Sequence, residues 1–171
     1  MEEKENLYFA SLKISGINFK VITSHKGVRS IFINKRDYKP DNITATALHP
    51  DDPYMMNVFK ELSEYFNRER KEFSVPLDII GTEFQKKVWK QLLKIPYGKT
   101  ISYIKLAEMV GDVKTVRAVG KANGSNPVPV IIPCHRVINA DGKLGGYSAG
   151  LDVKEKLLET EGGLSLELFS K

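Results

Sequence analysis

The apolar pattern of this chain changes near residue 80, and that change limits it to a fold that combines a sheet with helices. Before it, three runs rich in β-branched and aromatic residues predict strands. These runs are Leu7 to Ile14, Ile17 to Thr23 and Val28 to Ile33. Short glycine-containing turns separate them, which favours an antiparallel meander. Residues 34–52 are polar and predict a loop, and Pro53 opens a predicted helix to about Arg70.

Beyond residue 80 the chain carries the start and stop signals of helices. Thr82 and Gln85 form a capping box before a helix that ends at Pro96. Three more helices are predicted: Ser102 to Val110, Asp112 to about Asn123, and Leu151 to Glu161. The first two of these are joined by a tight turn at Gly111, which is the form of a helix-turn-helix.

A turn signal at Asp141-Gly142 predicts a hairpin between Val137 and Tyr147. A hairpin that follows a helix-turn-helix is a wing. The chain is therefore predicted to be α+β, with two domains. Residues 1–80 form a small N-terminal antiparallel sheet with a helix and a connector, and residues 81–171 form a mainly α winged helix-turn-helix domain.

The net charge of +5 comes entirely from the second domain. Residues 1–80 hold 12 basic and 12 acidic side chains, whereas residues 81–171 hold 14 basic and 9 acidic ones. Lys114, Arg117 and Lys121 fall at i, i+3 and i+7 and predict one basic stripe on the second helix of the helix-turn-helix. Cations displace condensed counterions from phosphates, so the stripe favours a nucleic-acid partner. A solvated basic face without any partner is the alternative.

Composition argues against several other classes of function. No apolar run approaches the ~20 residues that span a bilayer, so no membrane association is expected. The three histidines lie far apart and there is one cysteine, so no metal site is expected. The acidic N-terminus lacks the features of an export signal. Together with the single cysteine, it predicts a cytoplasmic protein.

That cysteine, Cys134, follows an apolar run that ends in Pro133. Proline restricts the backbone on both sides, so the thiol is predicted to lie at a rigid bend. Two interpretations stay open, a small buried hydrophobe or a nucleophile activated by a base. His135 is the adjacent base, but neighbouring side chains on an extended segment point to opposite faces, which favours a bridging water. Glu161, at the end of the last helix, is a candidate to orient the imidazole.

The run from Pro133 to Val137, Pro-Cys-His-Arg-Val, resembles the active-site signature of the 6-O-alkylguanine-DNA alkyltransferases, also called methylated-DNA–protein-cysteine methyltransferases. Further segments are similar to the family in order and spacing. They are Tyr97-Gly98, Ile101-Ser102-Tyr103, Arg117-Ala118-Val119-Gly120, Asn126-Pro127-Val128-Pro129, Gly145-Gly146-Tyr147-Ser148, Gly150-Leu151, Lys154-Glu155 and Glu161-Gly162. The resemblance covers about Gly81 to Gly163 and implies direct-reversal DNA repair, with a ribonuclease H-like N-terminal domain.

The resemblance also implies catalytic roles for five side chains. Cys134 would accept the alkyl group from 6-O-methylguanine and form a stable thioether, so the protein would act once and need no cofactor. His135 would take the thiol proton through a water and Glu161 would orient His135. Tyr103 would hydrogen-bond guanine N3, and Asn126 would fix the turn before the active-site strand. A second candidate substrate is 4-O-methylthymine.

Other side chains are implied to hold the DNA. Arg117 would enter the base stack and fill the gap left by the rotated-out nucleotide. The remaining implied DNA contacts are Ser102, Lys114, Ala118, Gly120, Lys121 and Arg136. The implied base pocket consists of Tyr103, Val137, Tyr147 and Ser148. The partner would be double-stranded DNA, bound through its minor groove by a monomer.

Two rival functions fit part of the same pattern. A Cys-His hydrolase would use the same two side chains but would turn over many times, and the sequence shows no evident Asn or Asp partner that would orient His135. A winged-helix DNA-binding protein would use the basic stripe with an inert Cys134. The proteins of that kind that are similar to the alkyltransferases replace the cysteine, so its presence favours transfer.

Overall fold

Three antiparallel strands form most of the four-stranded N-terminal sheet in the computed structural model, which describes residues 5–34 and 44–163. They are β1 (Leu7–Ile14), β2 (Ile17–Ser24) and β3 (Gly27–Ile33). The two-residue turn Ser15-Gly16 has positive φ at both positions, 51° and 83°, which matches the right-handed twist of a tight hairpin. Gly27 must lack a side chain, because a Cβ there would clash with the carbonyl oxygen of Pro76.

A fourth short strand and one helix complete this unit. β4 (Ala45–Ala47) pairs in parallel with β1, so part of the segment predicted as a loop joins the sheet. α1 (Met56–Phe66) begins and ends inside the predicted bounds of Pro53 and Arg70, because turns occupy both flanks. The helix buries Val58, Phe59, Leu62 and Tyr65. The Phe66 ring lies 5.7 Å from that of Phe19 on β2, which fixes α1 against the sheet.

The chain divides into two compact units, Met1–Ile80 and Gly81–Lys171. The second unit contains, in order, α2 (Glu83–Leu92), β5 (Ile101–Ser102), α3 (Tyr103–Val110), a 3-10 turn (Val113–Thr115), α4 (Val116–Gly124), a second 3-10 turn (Cys134–Arg136), β6 (Val137–Ile138) and α5 (Leu151–Thr160). The predicted α+β class is therefore confirmed. None of the helices in the described residues combines the length and apolarity needed to cross a membrane.

The predicted helix caps and one buried tryptophan stabilise the helix-turn-helix. The capping box of Thr82 and Gln85 is present at α2, and the Ser102 hydroxyl accepts from the Lys105 amide at the start of α3. Trp89 on α2 donates from Nε1 to the carbonyl of Ala122 on α4, at 2.8 Å. Because the indole is buried, this bond sets where α4 lies against α2.

The second helix of the motif begins later than predicted. The Asp112 carboxylate accepts from the Lys114 amide at 2.8 Å, but it caps the 3-10 turn and not an α-helix. α4 itself starts at Val116. Lys114 therefore lies outside α4, and the predicted i, i+3, i+7 stripe is interrupted at its first member.

The predicted wing is a loop with one short strand. The turn at Asp141-Gly142 is present, since the amide of Asn139 donates to the Lys143 carbonyl at 2.9 Å. No strand follows that turn among the described residues, so the predicted hairpin is not formed. Instead β6 pairs in parallel with β5, Ile101 beside Val137. This pairing brings the start of α3 next to the segment that follows Cys134.

Candidate active site

Cys134 is the last residue of a very tight turn centred on Pro133. Pro133 has φ −83° and ψ 64°, and the Cys134 amide donates to the Ile132 carbonyl at 2.8 Å, which is the geometry of an inverse γ-turn. The bend predicted from the proline is therefore present. Cys134 is buried, with 4 % of the residue exposed. Cys134 begins a 3-10 turn, so the extended conformation assumed for Cys134 and His135 is wrong, as is an active-site strand at this point.

Two asparagines hold the loop that precedes the thiol. The Asn126 side chain donates to the Ile132 carbonyl at 2.7 Å and accepts from the Val128 amide at 3.0 Å, so it bridges both ends of the loop. Asn123, buried on α4, donates to the carbonyl of Cys134 itself at 3.4 Å. The side chain of Asn126 therefore stands in for backbone hydrogen bonds that a loop of this shape cannot make.

A buried carboxylate joins the last helix to the active-site turn. The Oε1 atom of Glu161 lies 2.7 Å from Nε2 of His135, and both side chains are fully buried. The Gly98 amide also donates to Glu161 Oε2, at 3.1 Å. The other imidazole nitrogen, Nδ1, is buried without a hydrogen-bond partner among the described residues. Glu161 thus fixes one side of the ring and leaves the other side open.

Arg136 belongs to this buried network, and its assignment as a DNA contact is corrected. Its guanidinium donates to both carboxylate oxygens of Glu161, each at 2.9 Å, and to the carbonyl of Ile95 at 2.6 Å. It is 7 % exposed. A fork–fork pair of this kind fixes both partners in one geometry, so Arg136 holds Glu161 and is not available to a phosphate.

The surroundings of these groups determine their protonation. Burial raises the pKa of the Cys134 thiol, although the side chains of Asn126 and Tyr147 and the charge of Lys154 oppose this. Burial lowers the pKa of His135, so the ring is neutral near pH 7. Burial alone would raise the pKa of Glu161, but the hydrogen bonds from His135 and Arg136 and the charge of Arg136 outweigh burial and lower that pKa to about 2. Nε2 must then carry the proton that bonds the carboxylate, which leaves Nδ1 as a proton acceptor.

The same network predicts sensitivity to acid. The folded-state pKa values of Glu161 and His135 both lie below their unfolded values. Each group therefore stabilises the fold above its unfolded pKa and loses that contribution as pH falls. Urea unfolding is expected to show stability that decreases from about pH 6.5 and more steeply below about pH 4.5, with up to about 3 kcal/mol from Glu161. A constant midpoint between pH 7 and pH 4 would contradict this.

Tyr103, the first residue of α3, lines an open cleft of about 590 Å³. The cleft is bounded by Tyr103, Ile104, Val116, Gly120, Asn139, Ala140, Asp141 and Gly146. Burial raises the pKa of Tyr103, and a nearby Cys134 thiolate would raise it further, whereas a hydrogen bond with Asn123 opposes both. The phenol therefore keeps its proton and can donate a hydrogen bond to a ligand in the cleft.

The other predicted site residues differ in how far they are exposed to solvent. Lys114, Arg117, Ala118, Lys121 and Ser148 are exposed, and Ser102, Gly120 and Tyr147 are partly exposed. Val137 is fully buried and follows the active-site turn directly. Arg117, Ala118 and Lys121 share α4, so two cations and a small side chain are presented together on that helix.

Family comparison matches nearly the whole of both units. The model of the 6-O-methylguanine DNA methyltransferase DNA-binding domain matches residues 83–163, and that of the ribonuclease-like domain of the same protein matches residues 7–79. The chain belongs to the 6-O-methylguanine DNA methyltransferase family. The resemblance drawn from Pro133 to Val137 is confirmed, and the chain is a methyltransferase.

Relatives of this methyltransferase agree over most of their length. The methylated-DNA–protein-cysteine methyltransferase of Mycobacterium tuberculosis is 47 % identical over 127 residues, which is 74 % of this chain and 75 % of the relative. That of Methanosarcina acetivorans is 50 % identical over 112 residues, 66 % and 72 % of the two chains.

Solved structures agree with the methyltransferase fold. The crystal structure of the M. tuberculosis O6-methylguanine methyltransferase has a TM-score of 0.83 at 36 % identity, covering 96 % of this chain and 99 % of that one. The M. tuberculosis protein in complex with DNA has a TM-score of 0.78 at 37 % identity, covering 92 % of each chain. The fold is therefore shared with a protein that was crystallised in complex with DNA.

The sequence analysis assigned no function to Lys154, although the structure places it inside the methyltransferase site. Lys154 is fully buried on α5. A periodicity signal was available, because Lys154 lies three and four residues before the buried Leu157 and Leu158 and so shares their face. Gly98 was noted only as part of a motif, and its role depends on the hydrogen bond that its backbone amide donates to Glu161, 63 positions away. The local sequence around Lys154 and Gly98 could not identify the groups to which each of them hydrogen-bonds.

Proposed function

We propose that this chain repairs duplex DNA by moving the methyl group of 6-O-methylguanine irreversibly onto Cys134, once per protein molecule. The observation that carries the proposal is the arrangement of a thiol, an imidazole and a carboxylate at the buried turn. A lone cysteine is followed by a neutral imidazole, which a carboxylate holds at 2.7 Å on Nε2 while Nδ1 is left to accept a proton.

The proposed chemistry is a single displacement at carbon. The Cys134 sulfur attacks the methyl carbon, an S–C bond forms, and the C–O6 bond breaks, its electron pair leaving with guanine. Because burial keeps the thiol protonated at rest, a base must act during the reaction. We assign that base to His135 Nδ1, through a bridging water, with Glu161 stabilising the imidazolium. Tyr103 would donate to guanine N3 and offset the charge on the leaving base.

Access to the buried sulfur would require the nucleotide to rotate out of the duplex. An alkylated base within the stack hides its reactive carbon, and rotation costs a few kcal/mol. The cleft beside Tyr103 and Gly120 is the proposed entrance. We assign Arg117 to the vacated place in the stack, and α4 to the minor groove, since Ala118 and Gly120 allow close approach. Lys114, Lys121 and Ser102 would contact phosphates, and the protein would bind as a monomer.

Intact-protein mass spectrometry after incubation with methylated duplex tests this proposal. The expected result is one added mass of about 14 Da, a CH₂, on the peptide that contains Cys134. Product should stop at one equivalent of demethylated guanine per protein. Cys134→Ala should give no adduct and keep its DNA affinity. A parallel incubation with a 4-O-methylthymine duplex tests the second candidate substrate.

Each rival function gives a different result in the same assay. A Cys-His hydrolase would release product beyond one equivalent and show no lasting adduct. A DNA-binding protein with an inert thiol would bind the duplex, release nothing and keep its original mass. Either result would overturn the proposal.

A further inference from the structure

Asn123 carries a buried hydrogen-bond acceptor that no other described residue uses. Asn123 lies near the end of α4 and is 5 % exposed. Its Nδ2 donates to the Cys134 carbonyl at 3.4 Å, whereas Oδ1 is buried and has no hydrogen-bond partner among the described residues. A buried acceptor that stays unpaired destabilises the folded state. Such an atom therefore needs an explanation, and a ligand that supplies the missing donor is one.

Asn123 lies on the face of α4 that borders the cleft. Val116 and Gly120 line the cleft, and Asn123 follows them at i+7 and i+3, which places all three on one face of the helix. The Tyr103 ring packs on the same face, since a Cβ on Gly120 would lie 3.9 Å from its Cδ1 atom. Asn123 also hydrogen-bonds the Tyr103 phenol. The carboxamide is therefore placed at the inner end of the cleft, beside Tyr103 and the carbonyl of Cys134.

Several backbone acceptors near the cleft are already bonded within the protein. Lys154 Nζ donates to three carbonyls of the segment that follows the active-site turn. They are those of Val137 at 2.7 Å, Leu144, and Gly146 at 3.4 Å. The Cys134 carbonyl accepts from Asn123 Nδ2. A carboxamide oxygen has two lone pairs, so Asn123 Oδ1 is the acceptor best placed to bind a donor from a ligand.

We propose that Asn123 is a specificity-determining residue whose Oδ1 accepts a hydrogen bond from the exocyclic amine of the rotated-out guanine. The inference rests on the proposed function, in which Tyr103 donates to guanine N3. The amine is bonded to C2, next to N3, so this edge of guanine presents an acceptor and a donor side by side. The Tyr103 hydroxyl and the Asn123 oxygen present the complementary donor and acceptor. Together they would distinguish guanine from a purine that lacks the amine.

Two free bases that differ only in that amine test the assignment, benzylguanine and 6-O-benzylhypoxanthine. Neither has to leave a stack, so the ratio of their transfer rates to Cys134 reports on recognition in the pocket. The ratio is compared between wild type and Asn123→Leu, which cancels the intrinsic reactivity of the two bases. Wild type is expected to favour benzylguanine about tenfold more than the variant does, because in wild type the analogue leaves Oδ1 unpaired. Asn123→Leu should react with both bases at similar rates.

Gln91→Leu, partly exposed on α2, removes a carboxamide outside the cleft and is the matched control, so its ratio should equal that of wild type. If Asn123 only supports the fold or orients Tyr103, Asn123→Leu would slow both bases equally and keep the wild-type ratio. That result, or an equal change in Gln91→Leu, would overturn the proposal. If Asn123→Leu does not fold, the ratio in Asn123→Ala decides the same question. A wild-type protein that reacts with neither base and takes up no methyl from duplex would instead refute the proposed function.

Discussion

Glu161→Gln is expected to destabilise the protein by about 3–5 kcal/mol and to slow methyl transfer by at least about 100-fold. Both carboxylate oxygens are used: Oε1 by His135 and Arg136, Oε2 by Arg136 and the Gly98 amide. Glutamine keeps the shape but removes the charge, so the buried guanidinium loses its counter-ion. It also presents an NH₂ group where two donors already point, which leaves both of them without an acceptor.

The rate of methyl transfer in Glu161→Gln would fall for a reason separate from the loss of stability. Without the carboxylate, nothing stabilises an imidazolium at His135, so Nδ1 becomes a weaker base for the thiol proton. Urea unfolding gives the stability change, and pre-steady-state transfer from methylated duplex at a temperature where the variant is folded gives the rate. Glu159→Gln, exposed on the same helix, is the charge-matched control and should behave as wild type.

Arg136→Gln separates the two effects of Glu161. It removes the same ion pair and should reduce stability to a similar degree, while the bond between Glu161 and His135 remains. Its transfer rate should therefore fall much less than that of Glu161→Gln. Equal rates for the two variants would mean that the network acts only through stability, and the proposed role of Glu161 in orienting the base would be wrong.

Local signals predicted most of the secondary structure. The turn at Ser15-Gly16, the capping box at Thr82 and the stop at Gly111 each depend on residues within a few positions, and each is found where expected. β4 was missed because three residues in a polar segment carry no pattern. Its pairing with β1 is a tertiary contact. The wing was mispredicted for a similar reason: β6 pairs with β5, which lies 36 residues earlier.

The candidate site also combines residues that the local sequence predicts with residues whose roles depend on tertiary contacts. Cys134, His135 and Glu161 were identified as a set, and the structure brings them together at one buried turn. Arg136 was assigned wrongly to the DNA contacts, because nothing in the local sequence indicates that it is buried. Its partner, Glu161, is 25 residues away and becomes available only when α5 packs on the active-site turn. Lys154 was missed because a buried lysine contradicts the usual preference of that residue for solvent.

Arg117→Ala is expected to slow repair of methylated duplex by about 100-fold while leaving transfer from free benzylguanine unchanged. Arg117 is exposed on α4, 17 residues before Cys134. If it fills the gap left by the rotated nucleotide, its loss affects only substrates whose base must leave a stack. Free benzylguanine has no stack to leave, so its reaction reports on Cys134 and His135 alone.

Lys121→Ala distinguishes this role from a phosphate contact. Lys121 lies on the same helix and is also exposed, and removing it takes away one cation. Its loss should weaken DNA binding, reduce the salt slope by about 1, and be overcome at saturating duplex. The defect of Arg117→Ala should persist at saturation and shrink when the lesion lies opposite an abasic site, where less stacking must be broken. A defect that saturating DNA removes, or one that appears equally with benzylguanine, would mean that Arg117 has no part in rotating the base.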